Sequence, residues 1–95
     1  MKVEYDPAKD ATNRAKHGVS LAFGERVFDD VFRLVIDASR QTDGENRLKA
    51  IGVIDGKVWT AVYTLRGSTV RLISVRRSNG GEQRQYEAYA DLSGR

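Results

Sequence analysis

Residues 71–87, RLISVRRSNGGEQRQYE, gather side chains that suit an anionic substrate. An apolar run ends in Arg76 and Arg77, a Ser-Asn-Gly-Gly link follows, and a helix-like stretch then carries Glu82 and Tyr86. A guanidinium group binds a phosphate through two parallel hydrogen bonds, which the ammonium group of lysine cannot do. The pattern therefore indicates a phosphate-binding corner between a strand and a helix.

Two interpretations of Glu82 follow from this position. It could form a salt bridge with Arg76 or Arg77 that fixes the corner, or it could accept a proton, or orient the acceptor, during RNA cleavage. RNA brings its own nucleophile, the 2′-hydroxyl group. A ribonuclease then needs a proton acceptor, cations around the phosphorus and help for the leaving 5′-oxygen. Arginine, lysine, glutamate, tyrosine and one histidine suffice for this chemistry without a metal ion.

The composition excludes several other kinds of site. The 95 residues fit a single domain, residues 1–95, and they include no cysteine and only one histidine, His17. A disulfide framework, a thiolate metal site and an imidazole-based metal site are therefore not expected. The chain also lacks a P-loop, a dinucleotide-binding glycine motif and a nucleophile elbow. We predict no cofactor and no metal.

The charge of the chain is uneven. Residues 1–46 contain seven Lys/Arg and nine Asp/Glu, whereas residues 47–95 contain nine Lys/Arg and four Asp/Glu. A basic half indicates a polyanionic partner, although a solvated arginine-rich surface would have the same composition. No apolar run is long enough for a membrane span, and the N-terminus does not resemble a signal peptide. We therefore expect a cytoplasmic protein without a membrane partner.

The first helix is predicted to run from Pro7 to His17, with Asp6 as its N-cap and Gly18 as a left-handed C-cap. One polar stripe on this helix has two interpretations. It is either a solvated face with a histidine near the helix C-terminus, or the second wall of a phosphate-binding groove. The stripe consists of Lys9, Asn13, Lys16 and His17.

The remaining pattern predicts an α+β fold. A short edge strand over residues 3–5 precedes the first helix, and a second helix over residues 21–28 is capped by Ser20. Four strands follow, over residues 33–39, 47–54, 57–65 and 70–77, and their short turns make an antiparallel meander. A last helix covers residues 81–92. With the helices on one face, the other face of the sheet is expected to be open to a partner.

Simple alternation along the last strand places Arg71 and Arg77 on one side of the sheet and Arg76 on the other. Cations spread along the strand pair favour an extended nucleic-acid backbone over a single phosphate. The aromatic residues Trp59, Tyr63, Tyr86 and Tyr89 are more typical of core positions than of base-stacking positions. The candidate RNA-binding residues are Lys9, Asn13, Lys16, Arg47, Arg66, Arg71 and Arg84. The catalytic candidates are Arg76, Arg77, Glu82, Tyr86 and His17.

The order of several short motifs resembles the BrnT family of type II toxins. These motifs are DPAK, KHGVS, VFDD, TDGENR, IGVIDGKVW, VYTLRG and RLISVRR, followed by a glutamate and a tyrosine. The resemblance covers the chain from Glu4 to about Tyr86. It implies a RelE-like fold, metal-independent RNA cleavage that blocks translation, and a BrnA-like DNA-binding antitoxin, with a toxin–antitoxin heterotetramer as a plausible assembly. The family-like positions are Lys9, Asn13, Lys16, His17, Gly18, Arg47, Arg66, Arg76, Arg77, Glu82 and Tyr86.

Three functions are consistent with these observations. The first is an endoribonuclease toxin in which Arg66, Arg76 and Arg77 hold the phosphate, Glu82 or His17 transfers protons, and Tyr86 orients them. The second is a non-catalytic RNA- or partner-binding module of RelE/ParE-like fold. The third, inhibition of DNA gyrase as in ParE, has no feature in the sequence that favours it.

Overall fold

The computed structural model describes residues 1–40, 42 and 44–95. Positions 41 and 43, in the link between the predicted strands 33–39 and 47–54, therefore lie outside the described residues. The elements are β1 (Lys2–Tyr5), α1 (Pro7–His17), a 3₁₀ helix (Ala22–Asp29), β2 (Leu34–Asp37), β3 (Leu48–Ile54), β4 (Lys57–Arg66), β5 (Thr69–Arg77) and α2 (Gly80–Leu92). The predicted α+β class is confirmed. Within the described part of the chain, no helix has the length and apolarity needed to span a membrane.

The sheet has five strands in the order β1-β5-β4-β3-β2. Strands β2 to β5 form the predicted antiparallel meander, but β1 pairs with β5 in parallel. The fold is therefore a five-stranded mixed sheet and not only a four-stranded antiparallel one. Parallel neighbours need a long connection, which here consists of α1, the 3₁₀ helix and strands β2 to β4.

Local chemistry sets the ends of α1 as predicted. The Asp6 carboxylate accepts a hydrogen bond from the Ala8 amide at 2.8 Å, and Pro7 occupies the first helical turn, where a missing amide donor costs little. The helix ends at Gly18, whose φ of 76° is the left-handed conformation that glycine adopts without strain.

The second helical segment differs from the prediction, since it is a 3₁₀ helix and not an α-helix. The Ser20 hydroxyl caps it, as expected, by accepting from the Phe23 amide at 3.0 Å. Gly24 is required by packing, because a Cβ atom there would lie 2.3 Å from a methyl group of Val75. The glycine thus lets the segment lie directly on the sheet.

Helices cover both faces of the sheet, which corrects the expectation that one face is open. The 3₁₀ helix packs on one face, where Leu21, Val27, Trp59, Leu72 and Val75 belong to the main core cluster. Helix α2 packs on the opposite face over β2 and β3, and there the second cluster contains Ile51, Tyr86 and Ala90. On this second face, α2 leaves most of β4 and β5 uncovered. That part of the sheet is available to a partner.

A β-bulge in β5 overturns the predicted alternation of its arginines. Tyr63 pairs with Leu72 and Val62 pairs with Ser74, so Ile73 is an extra residue without a cross-strand partner. One extra residue shifts every later side chain to the other face. Arg71 and Arg76 therefore share a face with Thr64 and Thr60, whereas Arg77 lies opposite Trp59 on the other face.

Candidate nucleic-acid interface

A cleft of about 330 Å³ separates α1 from β5 at the bulge. Lys9, Lys16 and His17 from α1 line one wall, and Ile73 and Ser74 from β5 line the other. The three α1 side chains lie on one stripe because residues separated by seven or eight positions return to the same side of a helix. The structure therefore brings these three α1 side chains together with the site of the bulge.

Asn13, which the sequence analysis placed in the same polar stripe, also lines the cleft but is buried in the fold. Its side-chain amide donates to the carbonyl oxygens of Val75 and Val19, and its oxygen accepts from the Val75 amide, all at 2.9 Å. Strand β1 pairs with β5 only as far as Leu72, so Asn13 takes over the backbone groups of β5 beyond that point. Its polar groups thus hold α1 against the bulged strand.

The strand-to-helix corner contains a compact ion cluster around Glu82, whose side chain is only 3% exposed. Arg76 Nη1 donates to Glu82 Oε1 at 2.7 Å and Nη2 donates to Oε2 at 2.9 Å, while Lys49 Nζ donates to Oε2 at 3.0 Å. The Thr60 hydroxyl and the Asn79 amide donate to Oε1 at 3.2 and 3.0 Å. The salt-bridge interpretation of Glu82, with Arg76 as its partner, is confirmed.

This environment determines the charge of Glu82. Burial by itself raises the pKa of its carboxyl group, but the hydrogen bonds from Arg76, the Asn79 amide and Lys49 outweigh burial and lower the pKa to about 2. Glu82 is therefore ionised at neutral pH, with both oxygens occupied by donors. A carboxylate of such low basicity is poorly suited to accept a proton from a hydroxyl group.

Sequence reasoning missed two parts of this cluster. Asn79 and Glu82 form a capping box, in which each side chain accepts from the backbone amide of the other residue. The spacing of Asn79 and Glu82 at the start of α2 was a signal for it. Lys49 had no such signal, because it lies 33 positions away from Glu82 in the chain.

Two further arginines of β5 are held by contacts of their own. Arg71 lies 3.4 Å from the carboxylate of Glu4 on the neighbouring strand β1, and both side chains are partly exposed. The Arg77 guanidinium lies 5.6 Å from the centre of the Trp59 ring and donates through Nε to the Val58 carbonyl at 3.3 Å. Arg77 thus leaves its cationic edge exposed at the end of the strand, on the face opposite Arg76.

The remaining cationic candidates are spread over the surface. Arg66 is exposed at the end of β4 and pairs with Thr69, at the opposite end of the ribbon from Arg76. Arg84 is exposed in the second turn of α2, and Arg47 is half-buried just before β3. The structure therefore does not bring these three residues to the cleft.

Tyr86 packs in the second core cluster, away from solvent. Burial and the hydrogen bond that its hydroxyl donates to Asp30 Oδ2 raise the pKa of Tyr86 to about 12. Asp30 also accepts from the amides of Val53 and Phe32, so the tyrosine ties α2 to the segment before β2. The sequence analysis assigned no role to Asp30 and did not foresee this contact. Trp59 and Tyr63 are also buried, as predicted, whereas Tyr89 is 43% exposed.

The cleft and the ion cluster adjoin through β5. Ser74 lines the cleft and lies two residues before Arg76 on the same face, about 7 Å along the strand. Lysine, histidine and arginine side chains on adjoining surfaces of a small α+β domain are typical of proteins that bind a polyanionic backbone.

Comparison with models of protein families identifies the family of the chain. Residues 5–82 match the family described as ribonuclease toxin, BrnT, of type II toxin-antitoxin system, and the chain belongs to this family. Membership confirms the resemblance seen in the sequence and implies an RNA target and an antitoxin partner. The matched residues include α1, strands β2 to β5 and Glu82, but only the last residue of β1, and they end before Arg84 and Tyr86. A search among curated proteins found no match to the chain.

Proposed function

We propose that the protein is an endoribonuclease toxin of RelE-like fold that cleaves RNA without a metal ion and thereby blocks translation. Membership of a ribonuclease toxin family supports the reaction class. The observation that carries the proposal is the cleft between α1 and β5, where Lys9, Lys16 and His17 face the bulged strand beside Arg76. Within the part of the chain that the structure describes, no three potential metal-ligating side chains lie together.

The proposed reaction is a transesterification within the RNA. The 2′-hydroxyl oxygen attacks the adjacent phosphorus as His17 accepts its proton, and the bond between phosphorus and the 5′-oxygen breaks. The 5′-oxygen leaves with a proton returned from the site. The products are a 2′,3′-cyclic phosphate and a 5′-hydroxyl end, so atoms and charges balance without water or metal.

The arginines have different tasks in this proposal. Arg76, two residues after the cleft residue Ser74, stabilises the charge that develops on the phosphate oxygens, with Glu82 and Lys49 as its fixed support. Arg71 extends the cationic surface along the same face of β5, and Arg77 adds a cation at the strand end on the other face. Tyr86 acts indirectly by holding α2 in place. The exposed residues Arg66 and Arg84, together with Arg47, contact flanking RNA.

The partners follow from the same proposal. A BrnA-like DNA-binding antitoxin would neutralise the toxin, and two toxins with two antitoxins would form a heterotetramer. The proposed site of action is the cytoplasm, where the RNA substrate is translated.

The reaction class is tested with pure protein and a long RNA in the presence of EDTA. We expect cleavage that leaves 5′-hydroxyl and 2′,3′-cyclic phosphate ends. A single 2′-deoxy substitution on the nucleotide before a mapped cleavage site should abolish cutting there, whereas the same substitution one nucleotide away should not. Cleavage that needs a metal or leaves 5′-phosphate ends would contradict the mechanism, and intact RNA that remains bound would favour the non-catalytic module.

The role of the cleft in RNA binding is tested by two matched variants in the last turn of α1. Lys16 lines the cleft, whereas Arg14 is 64% exposed and pairs with Asp10 outside it. Lys16→Ala should weaken binding to a non-cleavable 2′-O-methyl RNA and lower the slope of log affinity against log salt by about 0.7. Arg14→Ala removes the same charge and should leave the slope unchanged in fluorescence anisotropy. Equal effects of the two variants would show that only net charge matters.

A further inference from the structure

Strand β2 is the outermost strand of the sheet on the side away from the cleft. Among the residues that the structure describes, it pairs with β3 along one edge only, and the Ala38 amide continues that ladder by donating to the Arg47 carbonyl at 2.8 Å. Because the backbone direction alternates along an antiparallel strand, the amide and carbonyl groups of Val35 and Asp37 point away from β3, towards the free edge. This edge is therefore a template for another strand.

The residues of this edge read Arg33-Leu34-Val35-Ile36-Asp37, with opposite charges at the two ends and apolar side chains between them. Such a strand is complementary to itself in the antiparallel direction. If two copies pair with Val35 opposite Val35, then Arg33 faces Asp37 of the other copy at both ends, and Leu34 faces Ile36. Opposite charges and apolar pairs directly across a ladder both stabilise strand pairing.

We propose that β2 is a homodimerisation edge, and that a second copy of this chain pairs with it to form a continuous ten-stranded sheet. The pairing about a two-fold axis is isologous, so each favourable contact occurs twice. Both Val35 residues exchange their amide and carbonyl groups, and each Asp37 amide reaches the Arg33 carbonyl of the other copy. The Arg33 amide already donates to the Asp30 carbonyl at 3.1 Å and keeps that bond.

Exposed apolar side chains beside β2 also favour a second copy of this chain as the partner. Val35 is 43% exposed, and a cleft of about 300 Å³ lies between it, Val31 and Tyr89 of α2. The two-fold axis of an antiparallel strand pair is perpendicular to the sheet, so both α2 helices lie on the same face. Tyr89 and the 90% exposed Leu92 share one side of α2 and would then face the second α2.

The dimer would leave the proposed RNA sites open. Strand β5, which lines the cleft, is three strands inward from β2. In a ten-stranded sheet the two copies of β5 are seven strand spacings apart, roughly 34 Å at the usual separation of strands. Dimerisation and RNA cleavage are therefore separable properties, and the failure of either proposal leaves the other standing.

The test is sedimentation equilibrium of the pure full-length chain over a range of concentrations. We expect a monomer–dimer equilibrium that Val35→Lys shifts to monomer, since two like charges would then lie directly opposite each other. Leu65→Lys, which places the same charge at a 52% exposed leucine of β4, should leave the equilibrium unchanged.

A charge exchange makes the test specific for this register. Arg33→Asp and Asp37→Arg should each abolish the dimer, and the double variant should restore it, because the opposite charges again face each other. Thermal melts monitor folding of each variant, and the Val35 amide should exchange with solvent more slowly at high protein concentration. A chain that is monomeric throughout, or a dimer that the single charge variants leave intact, would overturn the proposal.

Discussion

Replacing Glu82 with alanine is expected to lower the free energy of unfolding by about 3 kcal/mol. The change removes a carboxylate that is 3% exposed and leaves Arg76 and Lys49 facing each other without it. Loss of one partner from a buried ion pair commonly costs about 3–5 kcal/mol, and the partial exposure of both cations favours the lower end of that range. Urea denaturation monitored by Trp59 fluorescence measures the change.

The matched control is Glu87→Ala, because Glu87 is an exposed glutamate on the same helix. Its replacement should change the free energy of unfolding by no more than about 0.5 kcal/mol. A similarly small effect for Glu82→Ala would show that the ion cluster contributes little to stability.

The ion cluster around Glu82 also makes the free energy of unfolding depend on pH. The pKa of Glu82 falls from an ordinary value of 4.5 to about 2 in the folded protein, so the folded state favours the ionised form. The resulting stabilisation is complete above pH 4.5 and is lost as the pH falls towards 2. The Glu82→Gln variant lacks this pH-dependent stabilisation. The difference in the free energy of unfolding between the variant and the unmodified protein should therefore shrink as the pH is lowered. If the free energies of unfolding of the two proteins differ by the same amount at every pH, the lowered pKa of Glu82 would be contradicted.

Replacing His17 with glutamine is expected to lower the rate of RNA cleavage by roughly 100-fold or more, with little change in RNA affinity. Glutamine keeps a neutral polar side chain in the cleft but cannot accept and return a proton at neutral pH. Single-turnover cleavage with the protein in excess over the RNA provides the measurement.

Thr12→Ala is the control within the same cleft. The Thr12 hydroxyl donates to the Ala8 carbonyl of its own helix, so its loss should leave the rate unchanged. If His17→Gln retains the rate, the proton acceptor lies elsewhere. If His17→Gln loses RNA binding as well as cleavage, His17 belongs to the RNA-binding surface and its role as a base is unsupported.

Glu82 and Tyr86 show that the role of a residue singled out in the sequence depends on distant partners. Both lie one turn apart on α2 and face the sheet, as their spacing predicts. Glu82 meets Lys49 and Thr60, and Tyr86 meets Asp30, 56 positions away. These partners convert two candidates for proton transfer into groups with occupied hydrogen bonds.

The sequence by itself determined the local boundaries of the fold. Asp6, Pro7 and Gly18 set the ends of α1, and the positive φ angles of Asp55 and Gly56 form the predicted hairpin turn. These signals act over a few residues, because caps and tight turns depend on backbone conformation and nearby hydrogen bonds. The motif order also identified the family that the comparison then confirmed.

Only the tertiary structure decided which cations share a surface. The bulge at Ile73 moves Arg76 to the face of Arg71, whereas a regular strand would have placed it opposite. Next to this bulge, Asn13 binds both backbone groups of Val75, 62 positions later in the chain. A one-residue shift in register depends on such long-range contacts, and no local pattern of residue types encodes it.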